Sequence, residues 1–149
     1  ALRWHILPKA DLLTPNRPEA ELLADMKIDS EKDIDVAARK LLDMGPKAVL
    51  IKGGHFGSAS AAEFTDWLAL PDEPLIALKQ PGVKTSNNHG TGCTLSAAIA
   101  TYLGLGLGIR DAIVHAQKFL NHCLRHGYAP GLGAGPPNHA SWIAKRVDE

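Results

Sequence analysis

Ala48-Val49-Leu50-Ile51 is a run of four apolar residues with no alternation, and this run most limits what the chain can become. A strand that faced water on one side would alternate, so this one is read as a strand covered on both faces, as in a parallel sheet sheathed by helices. Lys52-Gly53-Gly54-His55 ends it. Upstream, Leu12-Leu13-Thr14 forms a second short apolar run closed by Pro15-Asn16, and Pro18 is placed to open a helix through Glu19, Ala20, Leu22 and Leu23. Ser30 and Asp33 make a capping-box pattern ahead of Ile34, Ala37, Ala38, Leu41 and Leu42, which share one helical face until Gly45 and Pro46 stop it. Strand and helix signals that alternate in this way predict an α/β layer fold with a mainly parallel sheet.

The second half reads less evenly. Residues 56–74 are irregular and turn-rich, and Pro74 to Thr85 supplies one or two further strands around Pro81-Gly82. From Thr91 the pattern is helical, with Leu95, Ala98, Ile99, Tyr102 and Leu103 as its stripe, and the stretch Gly104 to Gly108 ends it. Asp111 is expected to start a second helix with Ile113, Ala116, Leu120, Cys123 and Leu124 on its buried side, terminated by Gly127. A glycine-proline loop from Ala129 to Pro137 precedes a short last helix over 138–146.

With 149 residues the chain has the size of one domain. Sixteen Lys and Arg offset sixteen Asp and Glu, so no net field favours nucleic acid or an anionic membrane over a small molecule. Two cysteines are too few for a disulfide framework and fit a reducing cytoplasm. The apolar, uncharged stretch Leu95 to Ile109 falls short of the ~20 residues that span a bilayer and holds Ser96, Thr101 and three glycines. The opening residues, Ala1 to Leu7, show no secretory pattern; they lack Met and read as the end of a helix already under way, so a fragment is expected.

Chemistry is expected first at Gly90-Thr91-Gly92-Cys93-Thr94. Glycines let a backbone approach a ligand, and the unpaired N–H groups and dipole at a helix start attract negative charge, so a phosphate suits the place. The same residues also suit a tight turn that simply begins a helix. At that helix start the Cys93 thiolate would be stabilised, fitting it to take a proton from a substrate hydroxyl; a small buried packing residue is the plainer role. Asn16 and Glu19 lie just past a strand end, where ligands of open parallel sheets bind and where magnesium or its water shell finds oxygen donors. They equally suit a turn former and a first-turn acid. Lys52, at the end of the other strand, can reach an ATP phosphate, although a solvated surface lysine is the plainer role. His55 and His89 lack metal-ligand spacing and default to structural hydrogen bonding.

In order along the chain, LLTPNRPEAELL, VLIKGGH, NHGTGCTLSAAIA and AGPPNH resemble the C-terminal part of hydroxymethylpyrimidine and phosphomethylpyrimidine kinase, the thiamine-biosynthesis branch of the ribokinase-like superfamily. The match runs over nearly the whole chain, and the cysteine in HGTGC separates this branch and some pyridoxal kinases from sugar kinases with Asp there. The resemblance implies a three-layer α/β/α fold, present as its C-terminal, ATP- and phosphate-binding part over residues 1–149. It also implies ATP- and magnesium-dependent phosphorylation of 4-amino-5-hydroxymethyl-2-methylpyrimidine and then of its monophosphate. Carried over by motif, Gly90, Thr91 and Gly92 form the anion hole and Cys93 is the base. Asn16 and Glu19 organise magnesium, Lys52 neutralises phosphate charge, Thr85 lies in the nucleotide site, and Ala116 and Phe119 border adenine.

The sequence also departs from the family pattern. Nothing corresponds to the family's N-terminal region, which supplies sheet strands and most of the pyrimidine pocket. Ser86-Asn87-Asn88 stands where a basic residue, Asn and Thr are usual, and Ala134 and Pro137 stand for His and Val in the tail. A half-sheet would expose an apolar edge, so association with further copies into a homo-oligomer is expected. Three rival readings are a pyridoxal kinase, a non-catalytic nucleotide-binding piece, and a cysteine hydrolase pairing Cys93 with His89.

Overall fold

The computed structural model describes residues 2–53 and 63–147. Contacts divide the chain into two compact units, Ala1–Gln80 and Pro81–Glu149.

The first unit opens with a π-helical turn at Leu2–Ile6 and a 3-10 turn at Leu7–Lys9. Arg3 ties this opening down by donating to the carbonyls of Leu22 and Leu23 at 3.0 and 2.8 Å. Helix α1 spans Arg17–Ala24 and α2 spans Glu31–Leu42, each begun by a reciprocal capping box, Asn16 with Glu19 and Ser30 with Asp33. The box satisfies two N–H groups that a helix start otherwise leaves open. Gly45 then turns the chain with φ 109°, and a Cβ there would collide with the Pro8 backbone.

Strand β1, Val49–Ile51, is fully buried, as its unalternating sequence requires. Residues 13–16 run parallel along one edge of it, with Leu13 N–H donating to the Ala48 carbonyl at 3.0 Å, Leu50 to Leu13 at 2.8 Å and Lys52 to Pro15 at 2.9 Å. On its other edge β1 pairs antiparallel with β2, Glu63–Ala69, in the register Val49 to Ala69, Leu50 to Leu68 and Ile51 to Trp67. Strand β3, Ile76–Pro81, follows β2 in the sheet and ends at the expected Pro81-Gly82 turn. The helices pack Ala20, Ile34, Ala37, Ala38 and Leu41 against Val49, Ile51 and Ala69. Each large aliphatic side chain so buried contributes roughly 1.5–3 kcal/mol before entropy is counted.

The irregular reading of 56–74 is corrected by β2. Only Leu68 and Ala69 of that strand are buried, so period-2 alternation has nothing to write itself into over Glu63 to Trp67. The expected turn residues Gly54 and His55 lie outside the described residues.

In the second unit α3 spans Thr91–Gly104, α4 Ile109–Arg125 and α5 Ala140–Val147. Leu95 and Ile99 of α3 and Ala112, Ile113, Ala116 and Cys123 of α4 are buried, while Leu120 and Leu124 are half-buried. Helix α4 begins two residues before Asp111, which sits in its first turn, where a carboxylate meets the positive end of the dipole. No helix among the described residues is long and apolar enough to cross a membrane.

Candidate active site

Gly90 is the N-cap of α3, with φ 82° and ψ 10°, and no side chain caps the helix. A Cβ at Gly90 would meet nothing within 4 Å, so glycine is required there by conformation and not by crowding. The first helical bond is Thr94 N–H to the Gly90 carbonyl at 2.9 Å, and Thr91 N–H reaches Asn88 at 3.4 Å. Among the described residues no acceptor meets the N–H groups of Gly92 or Cys93. Two donors and the helix dipole therefore point out of an uncapped end, which is the arrangement that holds a phosphate oxygen. Cys93, beside them, is exposed. Cys123 is its opposite, buried in α4 with desolvation pushing the thiol up to about 11, which leaves it unreactive.

The segment leading into this turn is laced to the tail loop. Asn87 N–H donates to Thr85 Oγ1 at 3.0 Å, and Asn87 Oδ1 accepts from Gly135 N–H at 3.0 Å. His89 N–H donates to the Gly135 carbonyl at 3.2 Å. Past the turn, Thr94 Oγ1 lies 2.9 Å from His139 Nε2. The motif AGPPNH is visible in the sequence, but its contact with Asn87 and Thr94 carries no local signal.

Thr85 lines a cleft of roughly 300 Å³ with Lys84, Leu124, Arg125 and Gly127, small for a ligand pocket and flanked by two exposed cations. Ala116 is fully buried, so any part it takes in a nucleotide site is as backing. Phe119 is half-buried, parallel to the His139 ring at 6.1 Å and edge-on to Trp142 at 5.6 Å. Among the described residues no hydrogen bond joins Cys93 to His89, the pair a cysteine hydrolase would need.

In the first unit Asn16 Oδ1 accepts from Glu19 N–H at 2.9 Å and Glu19 Oε2 accepts from Asn16 N–H at 2.7 Å. These are the local roles that turn and helix chemistry assign them, yet Glu19 is exposed and its second carboxylate oxygen meets no partner among the described residues. That oxygen suits magnesium, which keeps most of its waters and takes one or two carboxylates with substrate phosphates. Among the described residues no group of three or more His, Cys, Asp or Glu is poised as a metal cage. Lys52 pairs with Asn16 across adjacent parallel strand ends, and its ammonium has no partner among the described residues. A wider cleft of about 720 Å³ is lined by Asn16, Arg17, Glu21, Lys27 and Asp29. Its cations are already taken, Arg17 by Asp29 at 3.0 Å and Lys27 by Glu21 at 3.1 Å.

Comparison with known proteins places these features in one family. A family model for phosphomethylpyrimidine kinase matches residues 1–138. Hydroxymethylpyrimidine/phosphomethylpyrimidine kinase of Synechococcus elongatus is 46% identical over 140 residues, covering 93% of this chain and 51% of its own length. The protein of that name from Haemophilus influenzae is 38% identical over 147 residues, covering 99% and 54%. Among solved structures, the pyridoxal kinase from Staphylococcus aureus in complex with AMP-PCP and pyridoxal aligns with TM-score 0.86 at 30% identity, over 95% of this chain and 52% of that one. The ribokinase-like α/β expectation is thereby borne out. The chain spans about half the length of the curated relatives it matches. A family match over residues 1–138 means that this chain belongs to the phosphomethylpyrimidine kinase family.

Proposed function

We propose that the chain carries the phosphate-handling machinery of an ATP-dependent kinase that phosphorylates 4-amino-5-hydroxymethyl-2-methylpyrimidine and then its monophosphate, in thiamine biosynthesis. The observation that carries this is the uncapped start of α3, where Gly92 and Cys93 present N–H donors beside an exposed thiol. The substrate hydroxyl oxygen attacks the γ-phosphorus, the bond from that phosphorus to the bridging oxygen breaks, and the bridging electrons leave with ADP. Gly90, Thr91 and Gly92 form the anion hole, in which the open N–H donors of Gly92 and Cys93 offset the charge that builds on the transferring phosphoryl, most of what this chemistry asks of a protein. Cys93 Sγ accepts the hydroxyl proton. Lys52 neutralises phosphate charge, Thr85 contacts the nucleotide, and Phe119, backed by Ala116, borders its base. Asn16 and Glu19 would hold magnesium through its water shell, and magnesium bound there would help neutralise phosphate charge.

Nucleotide binding is supported by the S. aureus pyridoxal kinase structures with ADP and AMP-PCP. The same structures favour a second reading, phosphorylation of pyridoxal, since one of them also holds that substrate. The pyrimidine is preferred because the relatives named for it reach 46% identity against 31% for the pyridoxal kinases. A thiol that must stay reduced supports a cytoplasmic setting. An incomplete sheet with an open edge favours a homo-oligomer, and the exposed Trp4 and Leu22, 80% and 77%, are compatible with it. ATP consumption by the protein as its gene encodes it, with hydroxymethylpyrimidine and pyridoxal in competition, tests the assignment. Preferential phosphorylation of pyridoxal would overturn it.

A further inference from the structure

The tail motif that runs from Gly135 to His139 has no part in the chemistry above, yet it meets the glycine turn on both sides. Ahead of the turn, Gly135 exchanges two bonds with the incoming chain, its N–H to Asn87 Oδ1 at 3.0 Å and its carbonyl from His89 N–H at 3.2 Å. The Asn87 side chain thereby does what a neighbouring strand's carbonyl would do. Behind the turn, Thr94, only 9% exposed, bonds His139 across 2.9 Å. Residues 90–93 are the span between these two fastenings.

A clamp holds only if its own base is firm. Asn138 N–H donates to the Cys123 carbonyl of α4 at 2.9 Å, and its carbonyl accepts from Ser141 Oγ at 2.6 Å, so the tail is anchored between fastenings. His122 Nε2 lies 3.1 Å from the Ser141 carbonyl and braces the start of α5. The approach is too close for side chains: a Cβ on Gly135 would overlap the Tyr128 carbonyl oxygen and press on Asn87 Oδ1, and one on Gly127 would crowd Asn87 Cβ. Among the described residues the Gly92 and Cys93 N–H groups have no acceptor of their own to fix their direction. Their aim depends on what holds the flanking residues.

We propose that Asn87, Thr94 and His139 are positioning residues, fixing the aim of the Gly92 and Cys93 N–H groups through the tail loop without touching substrate or nucleotide. This inference rests on the kinase reading. Preorganised donors offset transition-state charge only when they already point at it, and misplacement by about 1 Å costs up to ~100-fold in rate. Loss of the clamp therefore lowers kcat and leaves ground-state binding of ATP largely intact.

The test compares Thr94→Val, which removes the hydroxyl at constant shape, with Thr94→Ser, which keeps it, and adds Asn87→Ala on the other fastening. Steady-state kinetics and thermal melting are measured on the complete encoded protein. Thr94→Val and Asn87→Ala are expected to lower kcat on the order of tenfold with KM for ATP within about twofold, and Thr94→Ser is expected to restore kcat. Variants that melt lower but keep kcat would reduce the clamp to scaffolding and overturn the inference. So would Thr94→Ser failing to rescue. A parent protein with no ATP-dependent turnover would remove the kinase reading and this inference with it, whereas an active parent with unaffected variants removes the inference alone.

Discussion

Gly90 and Gly135 are both glycines at the turn, but for different physical reasons, and substitution separates them. Gly90 has φ 82° with open space where a Cβ would stand, so Gly90→Ala meets only the left-handed backbone penalty, about 1–2 kcal/mol. Gly135 has no room, and Gly135→Ala must displace Tyr128 or release Asn87. Urea unfolding should therefore rank Gly135→Ala as the more destabilising of the two. Cys93 offers the converse case. Its side chain is exposed, so Cys93→Ala should change stability by less than about 0.5 kcal/mol. As the proposed proton acceptor, its loss should lower kcat by roughly 10²–10⁴ while AMP-PCP still binds. Unchanged phosphorylation by Cys93→Ala would remove the thiol from the mechanism.

At the scale of elements, what was legible in the sequence is what is local. The Ser30 and Asp33 box and the stripe Ile34, Ala37, Ala38 and Leu41 are spaced by three and four residues, and the helix forms where they fall. Strand β2 was not legible because most of it is half-exposed, and the pairing of Asn87 with Gly135 was not because 48 residues separate two groups that meet through backbone. The Ser30 and Asp33 box and the Glu21 cluster also set an acid limit. The Ser30 hydroxyl, and then the Asp29 N–H, hold the Asp33 carboxyl below its ordinary 3.8. The Ile28 N–H, and then Lys27, hold Glu21 below its ordinary 4.5. Both are lower in the folded chain than in the unfolded one, so their stabilisation is complete above the ordinary values and fades as pH falls through the folded ones. Urea midpoints should be steady from neutral pH to about 5 and decline below 4.5. Ser30→Ala should lower stability by about 1 kcal/mol at pH 7 and soften that decline, since the hydroxyl that favours the Asp33 carboxylate is gone.

For the whole molecule, the balance of sixteen cations against sixteen anions bears on how a nucleotide is captured. With no net field over these 149 residues to steer a polyphosphate, the proposed binding rests on short-range donors, the helix start at Gly92 and Cys93 and the Lys52 ammonium, which has no partner among the described residues. Interactions at contact distance are screened far less by salt than steering is. The affinity for AMP-PCP should therefore fall only weakly between low and physiological ionic strength, in contrast to a protein that gathers phosphates with a basic face. Magnesium divides the remaining possibilities. A ligand that binds only the folded chain raises its stability by about 2.7 kcal/mol at a hundred times its Kd, so melting followed against AMP-PCP reads binding directly. If Glu19 lends its free oxygen to a hydrated magnesium ion, a chelator should remove much of that upward shift. Glu19→Gln, which keeps an acceptor oxygen for the capping box, should then weaken the shift with magnesium present and leave the magnesium-free shift unchanged. An equal shift with and without the metal would leave Asn16 and Glu19 with their capping roles alone.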